Sequence, residues 1–378
     1  MNDETSVHRA LTRIQIAALV VGIGAGAACV LGALWDADQF FPAFLFAYLY
    51  WVGIVLGCLA LALLDYLVGS KWTAAIRRPA AAAARTLPLM GLLFVPLLLG
   101  LPRLYPWARP EAVAASPLLQ FKSTYLNVPF FVGRGMAFYL AWGSMLLLAG
   151  VWTRRPEWRA EPHMVRRMKA LGGAGLVVWV TTLSFAFIDW LMSLEPAWVS
   201  AVYPLTVIAS SLVGAMAAIV LWLALLRNQP AWSSLVNPRV LNDLGAALLV
   251  LVMVAAYMAF SQYLVIWMGN LPEEVTWYQR RLTDGWLSVG AAIGVFQFAL
   301  PFLLLLPTST KRSAGALAGI AGLLLVTHLV ESFWLVVPAF RPSPSLHWLD
   351  VAAPLAIGGL WLALFVQQLK ARSAAAAA

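Results

Sequence analysis

Residues 243–269 read DLGAALLVLVMVAAYMAFSQYLVIWMG. One acid opens the run, and no other charged side chain follows it. At 1.5 Å of rise per residue, a helix over this stretch reaches about 40 Å, more than the roughly 30 Å of a bilayer's hydrocarbon core. A helix that is apolar all round has no face to offer water. The stretch therefore reads as a transmembrane helix.

The same reading recurs along the chain. Apolar runs near 15–35, 42–68, 86–102, 127–152, 170–192, 200–226, 285–306, 314–338 and 349–369 join 243–269 to make ten predicted spans. The third is the shortest, and Pro88, Pro96 and Pro102 interrupt it. Composition agrees: 62% of residues are hydrophobic and 11% charged, against about 25% charged in a soluble domain. Many of the 18 tryptophans sit at segment ends, as in the interfacial belts of membrane proteins. The expected fold is all-α and integral to the membrane. A short segment, 1–14, leads into one transmembrane domain over 15–370, and an alanine-rich tail covers 371–378. The first run lacks a small-residue cleavage site and is too long for a signal peptide, so it reads as a retained helix.

The net charge of +9 does not point to nucleic acid, because the basic residues lie in short loops between apolar runs. With the N-terminus in the cytoplasm, 18 Lys and Arg fall in inner segments and 6 in outer ones, with Arg134 inside a helix. This split satisfies the positive-inside rule and predicts that both termini are cytoplasmic. The inner segment RRPEWRAEPHMVRRMK, 154–169, suits a basic stretch lying against anionic lipid. The outer segment LPEEVTWYQRRLTDGW, 271–286, reads either as a solvated loop or as a docking surface for an extrinsic partner.

Ionisable groups inside a bilayer are costly and mark candidate functional positions. Asp65, Arg134, Asp189, His328 and Glu331 lie within predicted helices, and Glu195 and Asp243 lie at helix ends. Counting rise along each helix places Arg134, Asp189 and Glu331 at similar depth near the outer face. His328 and Glu331, at i and i+3, share a helix face. Thr182 extends a polar stripe inward from Asp189. Tyr257 and Ser261 share a face of the seventh span, with Gln262 beside them. Asp65 and Asp243 form a second acidic group near the inner face. Two readings of the outer cluster stand. Arg134 could pair with Asp189 or Glu331 and lock helices together. Alternatively, the cluster could be a proton-carrying or quinone-linked site, since one arginine cannot neutralise two acids. A surplus carboxylate in hydrocarbon can hold and pass a proton.

Redox ligation is not expected. Cys29 and Cys58 lie within apolar runs without a CxxC partner, so zinc and iron–sulfur sites lack ligands. Of His8, His163, His328 and His347, only His328 falls inside a predicted helix, so a bis-histidine haem also lacks ligands. The GIGAGA run at 22–27 is framed by no strand and reads as a small-residue packing face, not a nucleotide motif. No catalytic residue and no metal site are predicted.

Four stretches are specific: YLNVPFFVGRG at 125–135, SFAFIDWLMSLEPAW at 184–198, NDLGAALLVLVMVAAYMAFSQYLVIWMGNLPEEVTWY at 242–278, and HLVESFWLVVPAF at 328–340. Together they resemble the F-type membrane subunit of bacterial alternative complex III, a quinol:cytochrome c oxidoreductase, within the NrfD/polysulphide-reductase-type membrane anchors. The resemblance covers about 15–370. It implies two four-helix bundles, about 42–192 and 200–338, with two flanking helices. It also implies a subunit of the bacterial plasma membrane without a redox centre of its own. The implied partners are a sibling NrfD-like membrane subunit, extracytoplasmic iron–sulfur and haem c subunits, often a terminal oxidase, and lipid. A bound quinol is admitted by the resemblance, with Arg134 and Gln262 as candidates for its site. The candidate proton path comprises Asp65, Asp189, Glu195, Asp243, Tyr257, His328 and Glu331. Ala197 departs from the histidine frequent at that position in the family. An internal echo accompanies the two-bundle expectation: Asp189–Trp190 and Glu331–Trp334 each place an acid before a tryptophan, four helices apart. A purely structural anchor and a secondary transporter are the alternative functions.

Overall fold

The computed structural model describes residues 2–153, 156–227 and 236–375. Arg154 and Arg155 of the expected lipid-facing stretch lie outside the described residues, as do the last three residues of the expected tail. Among the described residues, ten helices are long and apolar enough to cross a membrane. We label them α1 (Arg9–Trp35), α2 (Ala37–Val68), α3 (Lys71–Leu99), α4 (Val128–Trp152), α5 (Pro162–Leu194), α6 (Tyr203–Leu226), α7 (Pro238–Gly269), α8 (Trp286–Leu305), α9 (Ala314–Ala339) and α10 (Leu349–Lys370). The chain is an all-α, multi-pass membrane protein, with no strand among the described residues.

Local chemistry sets the helix ends. Asp36 accepts from the Gln39 N–H at 3.1 Å to start α2. Asn127 does the same for α4 through Phe130 N–H at 2.9 Å, and Asn237 caps α7. Gly69, at φ +60°, closes α2 in the left-handed conformation and donates its N–H to Asp65 O.

The third span differs from expectation. It begins at Lys71 and not near residue 86, because the supposed inner loop folds as a helix, Lys71–Ala84, before Leu87–Leu99 continues the span. Its cations mask an alanine face, and Ala80–Ala84 are all buried. Averaging hydropathy along the sequence hid that face; amphipathic packing exposes it.

Helices α2 to α5 pack on one another, and so do α6 to α9. The two groups meet where α2 lies against α6 and α9, and α5 against α6. Helices α1 and α10 form a flanking pair, with α10 also packed on α2. Lys370 near the end of α10 hydrogen-bonds Thr12 and Gln15 near the start of α1, so both chain ends lie at one end of the bundle. The α1–α10 pair is close because Gly22 and Gly359 face each other. A Cβ on Gly359 would sit 2.5 Å from Gly22 N, and one on Gly22 would sit 2.7 Å from Leu360 N. Gly24 and Gly26 of the GIGAGA run do not share this role, since a Cβ on either would meet open space.

Candidate functional site

The polar core of the second helix group is built on α9. His328 and Glu331 lie on one face of that helix, as their spacing predicts, and His328 Nδ1 stands 3.1 Å from Glu331 Oε2. Two residues that sequence reading did not single out complete the cluster. Ser210 on α6 donates to Glu331 Oε2 and lies 3.1 Å from His328 Nδ1. Gln297 on α8 donates its amide to Glu331 Oε2 at 2.7 Å and to Ser210 Oγ at 3.0 Å. Gln297 lies in a π-helical turn, Gly294–Ala299. Such turns interrupt the regular ladder and are common at functional sites. The Tyr50 ring covers the imidazole at 5.3 Å, and Gly214 leaves room for it: a Cβ there would come within 2.6 Å of His328 Cδ2. His328 Nε2 is buried and makes no hydrogen bond. Apart from His328, no cation ion-pairs with Glu331 among the described residues.

The acid of the first group is treated differently. Arg134 on α4 grips Asp189 on α5 with two parallel bonds, Nε to Oδ2 at 2.7 Å and Nη2 to Oδ1 at 2.9 Å. Its third nitrogen donates to Tyr125 O at 3.0 Å, and the guanidinium lies 3.8 Å over the Tyr125 ring. This fork is the strong form of carboxylate recognition. Of the two acids open to Arg134, it therefore takes Asp189, and Glu331 is the surplus one. The expected single outer cluster is two sites, with no hydrogen bond or ion pair joining them among the described residues. Nor does the polar stripe below Asp189 continue: Thr182 accepts from Trp142 Nε1 at 2.9 Å and is used within its own helix pair. A cavity of about 320 Å³ is lined by Phe121, Lys122, Tyr125, Ser193 and Trp198 among others; Tyr125, whose ring lies under the Arg134 guanidinium, is part of its wall. Lys122 donates to Pro196 O at 2.6 Å, and burial pulls its pKa below the usual lysine value.

The two acids expected near the inner face have different surroundings. Asp65 is fully buried and held by Arg77, Nε to Oδ2 at 2.5 Å, and by Arg159 at 3.3 Å. Arg159 comes from the segment expected to face lipid; a buried carboxylate is the stronger attractor for part of it. Asp243 is exposed on α7. Tyr257 is 65% exposed and turned away from the polar core. Gln262 is buried and accepts from Ser200 Oγ at 2.5 Å, so the neighbouring pair Tyr257 and Gln262 serve opposite faces.

The segment 271–286 is not a solvated loop. Pro272–Leu282 is a helix, and its Trp277 and Arg281 are buried. Arg281 Nη1 pairs with Glu195 Oε1 at 3.0 Å, its Nη2 donates to Leu335 O at 2.8 Å, and its guanidinium lies 3.7 Å over the Trp277 ring. Burial lowers the Arg281 pKa, and Glu195 opposes that shift. Arg280 adds a weaker contact to Glu195 at 3.4 Å. A further buried fork, Arg341 to Asp350 at 2.6 and 3.0 Å, ties the turn after α9 to the start of α10. Sequence reading missed Arg281 and Arg341 because it counted them as loop charge, and it passed over Asp350 at the start of the tenth predicted span. It could have found Gln297 by the rule that raised Glu331, a lone polar side chain inside an apolar span.

Among the described residues, the fold and site define a ten-helix membrane protein in which the part-buried Glu331 has no arginine partner while Asp65, Asp189 and Asp350 are held by arginines. No protein-family model matches the sequence, and no curated protein matches it.

Proposed function

We propose that this chain is a membrane subunit of a quinol:cytochrome c oxidoreductase of the alternative complex III type. In this reading it supports quinol oxidation and conducts protons without a redox centre of its own. It sits in a bacterial plasma membrane with both termini cytoplasmic. It works with a sibling anchor, extracytoplasmic iron–sulfur and haem c subunits, often a terminal oxidase, and lipid.

The family part of the reading is supported by the four motif stretches. The proton part is carried by Glu331. This carboxyl has hydrogen-bond donors and an imidazole but no arginine, so it is free to exchange a proton with His328. A locked carboxylate such as Asp189 or Asp65 cannot exchange a proton cheaply, because protonation would strand its arginine. In this reading a quinol would bind in the cavity of about 320 Å³ walled in part by Tyr125, whose ring lies under the Arg134 guanidinium.

A second reading, a purely architectural anchor, is favoured by the arginine forks at Asp189 and Asp350, which pin helices and turns together. Substitution separates the two. In the assembled complex, Glu331→Gln should cut proton release and turnover about tenfold or more at normal complex yield. Normal turnover and normal proton release in that variant would end the proton reading. Reduced yield with normal turnover per complex would leave the architectural one.

A further inference from the structure

A cavity of about 260 Å³ lies between α2, α6, α9 and α10, with Ala83 of α3 and Tyr50, whose ring covers His328, also in its wall. Its wall is hydrocarbon and aromatic, formed by Trp51, Ile54, Trp222, Leu225, Trp361 and Phe365 among others. The aromatic rings form a continuous set: Trp51 on Trp361 at 4.9 Å, Trp361 stacked on Phe365 at 5.1 Å, and Trp222 edge-on to Phe365 at 5.0 Å. Leu225 is 64% exposed, so the cavity borders the outer surface of the helix bundle at the end of α6. Arg227, also exposed, follows two residues later.

Two features define an occupant. An apolar void stays dry; one of about 150 Å³ already holds a small apolar molecule. In a membrane the abundant apolar molecule is a lipid chain. The second feature is polar. Trp51 donates its indole N–H to Pro354 O at 3.0 Å, but the indole N–H groups of Trp222 and Trp361 are buried without a partner. Buried polar groups ordinarily have partners, and a tryptophan N–H can only donate. Both rings pack on Phe365, so the two donors stand around one side chain. A molecule with a long chain, two closely spaced acceptor oxygens and an anionic head satisfies the void, the indoles and Arg227 together.

We propose that this cavity is a binding site for one membrane phospholipid. One acyl chain fills the void, the ester carbonyls accept from Trp222 and Trp361 after small side-chain adjustments, and the phosphate lies beside Arg227. The proposal is independent of the reading given to Glu331.

Native mass spectrometry of the protein extracted from its membrane, as full chain or assembled complex, tests it. The expected result is one retained phospholipid, lost in Ala218→Trp, which fills the cavity, and reduced several-fold in Trp222→Phe, which keeps the ring and removes the donor. As a second measurement, phosphatidylglycerol added to delipidated protein should raise the Tm of the unmodified protein more than that of Trp222→Phe. Retention of an isoprenoid quinone in place of phospholipid would overturn the proposal. So would equal retention and equal Tm response in the unmodified protein and both variants.

Discussion

Gln297 donates its side-chain amide to Glu331 at 2.7 Å, in the place where the first helix group sets Arg134 against Asp189. In each group the third helix supplies a donor and the fourth an acid. The first group supplies a full positive charge and the second a neutral amide. That difference separates a carboxylate locked by an arginine from one held by neutral donors and an imidazole.

The Gln297 contact can be read spectroscopically. Gln297→Leu removes a donor from Glu331 and should shift the carboxyl C=O stretch in infrared difference spectra. Glu331→Gln should abolish that band. A band unaffected by either substitution would assign it to another acid and remove Glu331 from the proton path.

Arg134→Ala strands Asp189, which is fully buried. Removing one partner of a buried pair costs about 3–5 kcal/mol, so yield and thermal stability in detergent should both fall sharply. Arg134→Lys should rescue little, because an ammonium cannot reproduce the two-bond fork. Arg134→Met with Asp189→Leu should recover much of the loss, since neither charge is then left alone.

Arg281 holds the helix Pro272–Leu282 against the bundle through Glu195 and Leu335. Arg281→Ala should release it, at a cost of about 3 kcal/mol or more. Hydrogen exchange over 271–286 should rise while α7 and α8 keep their protection. Uniform exchange across all three segments would show that the helix does not depend on this anchor.

Gly214→Ala places a Cβ within 2.6 Å of His328 Cδ2, where the imidazole has no free space. We expect overpacking of about 1–3 kcal/mol and a displaced His328. The measurement is the His328 ring chemical shift by NMR, which should move in Gly214→Ala and stay unchanged in Gly24→Ala, where a Cβ meets nothing within 4 Å.

The sequence by itself determined ten spans, because twenty consecutive apolar residues have one stable environment and their backbone one stable form. It also determined which side chains are expensive, since a charge in hydrocarbon stands out by residue type alone. Even so, the alanine face of 71–84 escaped notice, because a mean over cations and alanines conceals which side of the helix each occupies. The i, i+3 spacing of His328 and Glu331 is local geometry and was legible. The partners of every charge were not. Only the tertiary structure decided that Arg134 takes Asp189, that Arg159 turns inward to Asp65, that Tyr257 faces outward, and that Glu331 receives Gln297 and Ser210. Each of these turns on a few ångströms between helices far apart in the chain, and whether a buried carboxylate is locked or free depends on those distances.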